Sequence, residues 1–328
     1  MTTMRINPAV LPLMITLAVL LAMYLAGAAM FHQSNFISLR VISNLLHQNA
    51  IIAVAAIGAT LVILSGGIDL SVGAVVAFTT ILVAALINAG WHPLLAWAAA
   101  LACGTTMGLV MGSLIHAFRL PPFMVTLAGM FFARAMAFMV SSDSLGIGHS
   151  LYVDIQSLRL PLSARASLSS IALVAVACYV IAIIVAHFTS YGRYVYAIGG
   201  DETSAQLMGV PVARTRIGTY AIAGFCSALA GILATLYRSS GDPAAFIGME
   251  LEAIAAVVIG GTLISGGVGF MIGTLAGALI AGLIQTMIDF HGNISSWWTK
   301  IVVGLLVLTF IILQSLLLRL STRRLRAV

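Results

Sequence analysis

Apolar residues run almost without interruption through about ten stretches of the chain. These are residues 9–31, 46–64, 70–89, 93–116, 122–141, 168–188, 217–237, 251–264, 269–289 and 298–318. Most match the roughly 20 residues a helix needs to cross the hydrocarbon core of a bilayer. The runs are continuous and do not alternate with a period of two, so they predict helices rather than the strands of a barrel. The pattern predicts an all-α polytopic membrane protein with about ten transmembrane helices. The eighth run, 251–264, is short and reads either as a half-span or as a span extended by its neighbours.

Composition agrees. The chain is 61% hydrophobic and only 7% charged, whereas soluble domains carry about 25% charged residues. All 328 residues read as one transmembrane domain whose first partner is the lipid bilayer. The first run is longer than the core of a signal peptide and is expected to stay as the first span. The net charge of +6 speaks to topology, and nucleic acid is not an expected partner. With the N-terminus in the cytoplasm, nine Arg residues face inward against five Arg and Lys residues outward. That bias predicts both termini inside and an even number of spans. Cys103, Cys178 and Cys226 lie within apolar runs and read as free buried thiols.

Two polar stretches stand out. Residues 142–167 predict a partly ordered cap on the outer side. Residues 189–216 form the longest polar stretch on the inner side. Within it, Asp201 is a helix N-cap, no breaker follows before Gly209, and Pro211 stops continuation, which predicts a short helix.

Residues 64–73 read LSGGIDLSVG and residues 264–273 read ISGGVGFMIG. Four positions of the ten are identical and four more are apolar exchanges. This predicts an internal repeat, parallel if the eighth run crosses the membrane and inverted if it does not. Gly66, Gly67, Gly266 and Gly267 are expected to break the helices, because irregular backbone at membrane depth needs protein or a water-filled cavity around it. Asp69 then caps the next helix with help from Ser71, or serves solute passage directly.

Arg134 lies mid-run with no other charge nearby and is expected to face the interior, pair with an acid or reach an interface. It could also donate to a polyhydroxylated solute, with Phe131 and Phe132 stacking on a ring. Gln48 and Asn49 crowd the entry to the second run, as interfacial polar groups or as the rim of a polar path. Gln285, Thr286 and Asp289 have the same two readings near the end of the ninth run. Trp297 and Trp298 read as an interfacial anchor. Gly104, Gly108 and Gly112, four apart, suit close helix packing. There is no phosphate-binding loop, no H-E-x-x-H and no G-x-S-x-G, so neither enzymatic chemistry nor a cofactor or metal site is expected.

The stretches NAIIAVAAIGATLVILSGGIDLSVGAVVAF, YAIGGDETSAQLMGVPV and IAAVVIGGTLISGGVGFMIGTLAGALIAGLIQ resemble the permeases of bacterial ABC sugar importers of the ribose, xylose and galactoside group. The resemblance covers roughly residues 10–320 and is nearest to the galactofuranose-importing members. It implies a single permease domain in the bacterial inner membrane, moving a monosaccharide inward without covalent chemistry. It implies a second permease subunit, identical or different, a periplasmic sugar-binding protein and cytoplasmic ATPase subunits. The segment AIGGDETSAQLMGV matches the family's coupling segment, which makes Gly200, Asp201, Glu202, Ala205 and Gly209 the expected ATPase-coupling residues. A second class also fits broken helices and a buried acid: a secondary transporter driven by protons or sodium, with Asp69 titrating during transport.

Overall fold

The computed structural model describes residues 10–32, 36–163, 166–292, 295 and 297–326, with the side chains of 314–326 excluded. Helices occupy every predicted run: α1 (Leu11–Met30), α2 (Leu39–Leu64), α3 (Val72–Asn88), α4 (Pro93–Phe118) and α5 (Pro122–Val140) in the first half. In the second half, α6 (Ser150–Ser157) and α7 (Ser170–Phe188) precede α8 (Ser190–Gly200), α9 (Glu202–Leu207), α10 (Val212–Arg238), α11 (Met249–Ile259), α12 (Met271–His291) and α13 (Trp297–Arg326). Among the described residues seven helices are long and apolar enough to cross a membrane: α1, α2, α4, α5, α7, α10 and α12.

The centre of the bundle is built from α2, α10 and α12, each buried over two-thirds or more of its most apolar stretch. α1, α4 and α7 pack against them, α5 packs on α3 and α4, and these four remain mostly uncovered. Their outward faces carry Leu21, Leu25, Phe131, Ile181 and Phe188, apolar groups that suit lipid better than water. α10 lies directly against α4. A methyl group at Gly108 would run into the Tyr220 carbonyl, so the absence of a side chain sets this close approach.

Several boundaries differ from the sequence expectation. α2 begins at Leu39, well before residue 46, with the Ser38 hydroxyl accepting the Val41 N–H at 3.4 Å. Gln48 and Asn49 therefore sit within the helix rather than at its entry. α11 ends at Ile259, leaving a helix of only 11 residues where 251–264 was expected.

The all-α reading needs a small correction. β1 (Leu145–Gly146) pairs antiparallel with β4 (Ser240–Gly241), and β2 (Arg159–Ser163) pairs antiparallel with β3 (Ala166–Ser169). With α6 they give regular structure to most of 145–163 and to 166–169. The anchor there is Tyr152, which is buried and lies 3.0 Å from both Trp97 Nε1 and Thr235 Oγ1.

Candidate functional site

The first glycine loop follows from how α2 ends. Gly66 has φ +80°, the left-handed conformation that closes a helix. Its N–H donates to the Ile63 carbonyl at 2.9 Å, and the Gly67 N–H donates to the Val62 carbonyl at 2.9 Å. The chain then runs without regular structure until α3 begins at Val72. Asp69 and Ser71 are both buried in this passage. One Asp69 oxygen, Oδ1, accepts the Ser71 N–H at 2.8 Å and the Ser71 hydroxyl at 2.6 Å. The carboxylate thus organises the turn that starts α3. Thr126 of α5 holds the same loop, its Oγ1 accepting the Leu70 N–H at 3.1 Å and reaching the Ile68 carbonyl at 3.2 Å.

The second loop lies between α11 and α12. The Leu263 N–H donates to the Val268 carbonyl at 2.9 Å, closing a tight turn that contains Gly266 and Gly267. Tyr196 on α8 donates its hydroxyl to the Gly269 carbonyl at 2.7 Å. The two loops touch: the Gly267 N–H donates to the Leu64 carbonyl at 3.0 Å.

The polar stretch 189–216 holds two short helices, where one was expected, and the first turn of α10. α8 starts on the Thr189 side chain, which accepts the Gly192 N–H at 3.3 Å, and continues through Gly200. Asp201 alone separates it from α9. Its Oδ1 accepts the Ser204 N–H at 2.6 Å. That bond holds the fully exposed carboxyl below the usual carboxylate range, so the cap stays charged near neutrality. α9 closes on Gly209, with φ +81°. The Gly209 N–H donates to Gln206 and the Val210 N–H to Ala205, each at 3.0 Å, and Pro211 follows. Ala205 is the residue α9 buries, packed with Val210, Val212 and Ile198. Glu202 pairs with Arg216 of α10 at 2.5 Å. Leu207 and Met208 stand 85% and 73% exposed at the end of this otherwise polar helix, an apolar tip without cover.

The remaining predicted residues lie apart from these loops. Arg134 on α5 is half-buried and donates through Nη1 to the carbonyls of Pro243 at 2.7 Å and Ala245 at 2.8 Å. Of the expected alternatives it takes the inward one, meeting backbone oxygens rather than an acid. Phe131 is exposed on the outside of α5. Gln48 is exposed, and Asn49 is half-buried, donating to the Leu45 carbonyl of its own helix at 2.8 Å. No hydrogen bond or ion pair among the described residues joins Asp69, Asn49 and Arg134. Sequence reasoning missed Thr126, Tyr196 and Gly199. The last had a signal, since residues 199–200 repeat the Gly-Gly doublet of 66–67 and 266–267.

Long apolar helices around a buried core, joined by two irregular glycine loops that touch one another, define a multi-pass membrane protein. Residues 41–311 match the family described as branched-chain amino acid transport system / permease component. The chain belongs to this family. It is 48% identical over 305 residues to the inner membrane ABC transporter permease protein YjfF of Escherichia coli K12, covering 93% of this chain and 92% of that protein. It is 36% identical to the fructose import permease protein FruG of Bifidobacterium longum, covering 94% and 92% of the two chains. It is 35% identical to the ribose import permease protein RbsC of E. coli K12, covering 86% and 87%. No solved structure matches.

Proposed function

We propose that this chain is the transmembrane permease subunit of an ATP-driven ABC importer. It carries a monosaccharide from periplasm to cytoplasm across the bacterial inner membrane. The observation that carries the reading is α9: a capped, glycine-terminated helix that presents uncovered Leu207 and Met208, and that a single residue separates from α8, whose end meets both glycine loops. An apolar tip on a rigid short helix suits insertion into a groove of another protein. That partner is the cytoplasmic ATPase, met by Gly200, Asp201, Glu202, Ala205 and Gly209 as the coupling segment.

The fructose and ribose importers among the relatives support a monosaccharide cargo. Galactofuranose or a related sugar is the specific assignment, resting on the sequence resemblance. We count α3 and α13 as two further spans and α11, at 11 residues, as a tenth completed by its neighbours; ten crossings fit the Arg and Lys bias toward both termini in the cytoplasm. The Ser-Gly-Gly loops support an internal repeat. Asp69, Ser71, Asn49, Gln48, Phe131 and Arg134 are the pathway candidates. A second permease subunit, identical or different, and a periplasmic sugar-binding protein complete the assembly.

One observation favours a second reading. Asp69 is buried and takes part in no ion pair among the described residues, as a titrating group in an ion-coupled transporter would. The first test is biochemical. The purified chain alone should hydrolyse no ATP, and a co-expressed ATPase should co-purify with it and restore hydrolysis. Vanadate-sensitive hydrolysis by the isolated chain would contradict the assignment. Competition between galactofuranose, ribose and fructose for uptake then decides the sugar.

A further inference from the structure

Three segments far apart in sequence meet backbone to backbone: the end of α2 with its loop, the end of α8, and the loop before α12. The Gly267 N–H donates to the Leu64 carbonyl. A methyl group on Gly199 would collide with the Leu64 carbonyl oxygen and the Gly267 nitrogen. One on Gly266 would lie 2.8 Å from the Gly66 nitrogen and 3.1 Å from the Gly199 Cα. One on Gly267 would lie 2.9 Å from both the nitrogen and the Cα of Gly200. The end of α8 is thus wedged into the place where the two loops touch.

A contact built from glycine backbone has no rotamers to exchange. Packed side chains can absorb a small displacement by repacking, whereas interlocked main chain passes it on. The ties on either side extend the unit. Tyr196, one turn before Gly200 on α8, binds the Gly269 carbonyl of the second loop. Thr126 binds the first loop on both sides of Asp69. At the other end, Asp201 is the single residue between Gly200 and α9.

We propose that the Gly199–Gly200 doublet is the transmission point of the transporter. Movement of α9 drives both glycine loops together through this junction, with Gly199 as the positioning residue. The proposal rests on the reading of α9 as the ATPase-docking helix, and its test separates the two.

The test uses the complex of the full chain with its ATPase, in a background without the three native cysteines. A reporter cysteine is placed in each loop, Leu70→Cys or Ser265→Cys, and its labelling rate is compared without nucleotide and after trapping with ATP and vanadate. In the parent complex both rates should change together, by at least about 3-fold as the loops open or close. Gly199→Ala should still bind the ATPase but lose the response in both loops. Gly304→Ala, on α13 and outside the junction, should keep it, because a methyl there meets nothing within 4 Å. Retained responses in Gly199→Ala, or equal losses in the two variants, would overturn the proposal. Failure of the ATPase to bind the parent chain would instead overturn the docking reading. Should Gly199→Ala not insert, Tyr196→Phe decides. It removes one tie without adding bulk, and the Ser265→Cys response should fall by at least about half. An unchanged response there counts against the junction.

Discussion

Gly267 donates its backbone N–H to the carbonyl of Leu64 across 3.0 Å, so the second glycine loop satisfies the last residue of α2. The terminal carbonyls of a helix have no partner within the helix. Leu64 is fully buried, so a donor from the protein takes the place of water there. The two Ser-Gly-Gly segments therefore complete each other: one breaks a helix, and the other pairs with the group the break leaves free.

Asp69→Asn should retain most uptake per inserted protein. Its amide oxygen can take the place of Oδ1 and accept both Ser71 donors. Asp69→Leu leaves the buried N–H and hydroxyl of Ser71 without that acceptor, at about 1–3 kcal/mol for each unsatisfied group. Membrane levels of the Leu variant should fall accordingly. Normal insertion of Asn with no uptake would assign the charge itself to solute passage.

Gly209→Val should insert normally yet bind the ATPase poorly. A β-branched residue forced to φ +81° is strained by roughly 1–3 kcal/mol. Relief of that strain unwinds the turn in which Val210 reaches back to Ala205. Co-purification of the ATPase should drop and uptake should be lost. A variant that docks, responds to sugar and transports like the parent shows that 189–216 only connects helices.

Arg134 fastens α5 to the backbone just before α11. Hydrogen bonds from a charged donor are worth about 1.5–3 kcal/mol each. Arg134→Leu removes both and should free the segment carrying exposed Ala244. Labelling of an Ala244→Cys reporter should rise on the order of 10-fold. Arg134→Lys, able to reach one carbonyl but without the planar fork, should fall between. Unchanged labelling in both variants would leave Arg134 free for a role in the pathway.

The helices at the predicted runs were legible because lipid demands long apolar segments whatever their partners. α9 was legible for another reason: its cap Asp201 and its stop, Gly209 with Pro211, are local chemistry. α8 was not, since SYGRYVYAIGG carries three glycines and polar side chains and resembles a loop until its buried face meets the bundle. The first turns of α2 were hidden by Arg40, Ser43 and Asn44, polar residues of a helix that starts before its apolar core. Arg134 was legible as a residue in need of partners, but its acceptors are main-chain oxygens that carry no residue identity. Gly199 gained its meaning only when two distant loops closed around it.

The most direct test of the account is uptake of labelled sugar into liposomes holding the purified permease assembly and its ATPase. The ATPase is placed where ATP can reach it, the sugar-binding protein is on the opposite side, and proton and sodium gradients are collapsed by ionophores. The account predicts uptake that requires ATP hydrolysis, stops with vanadate and is indifferent to the ionophores. Uptake by this chain without the ATPase, driven by an imposed proton or sodium gradient and lost in Asp69→Asn, would contradict it.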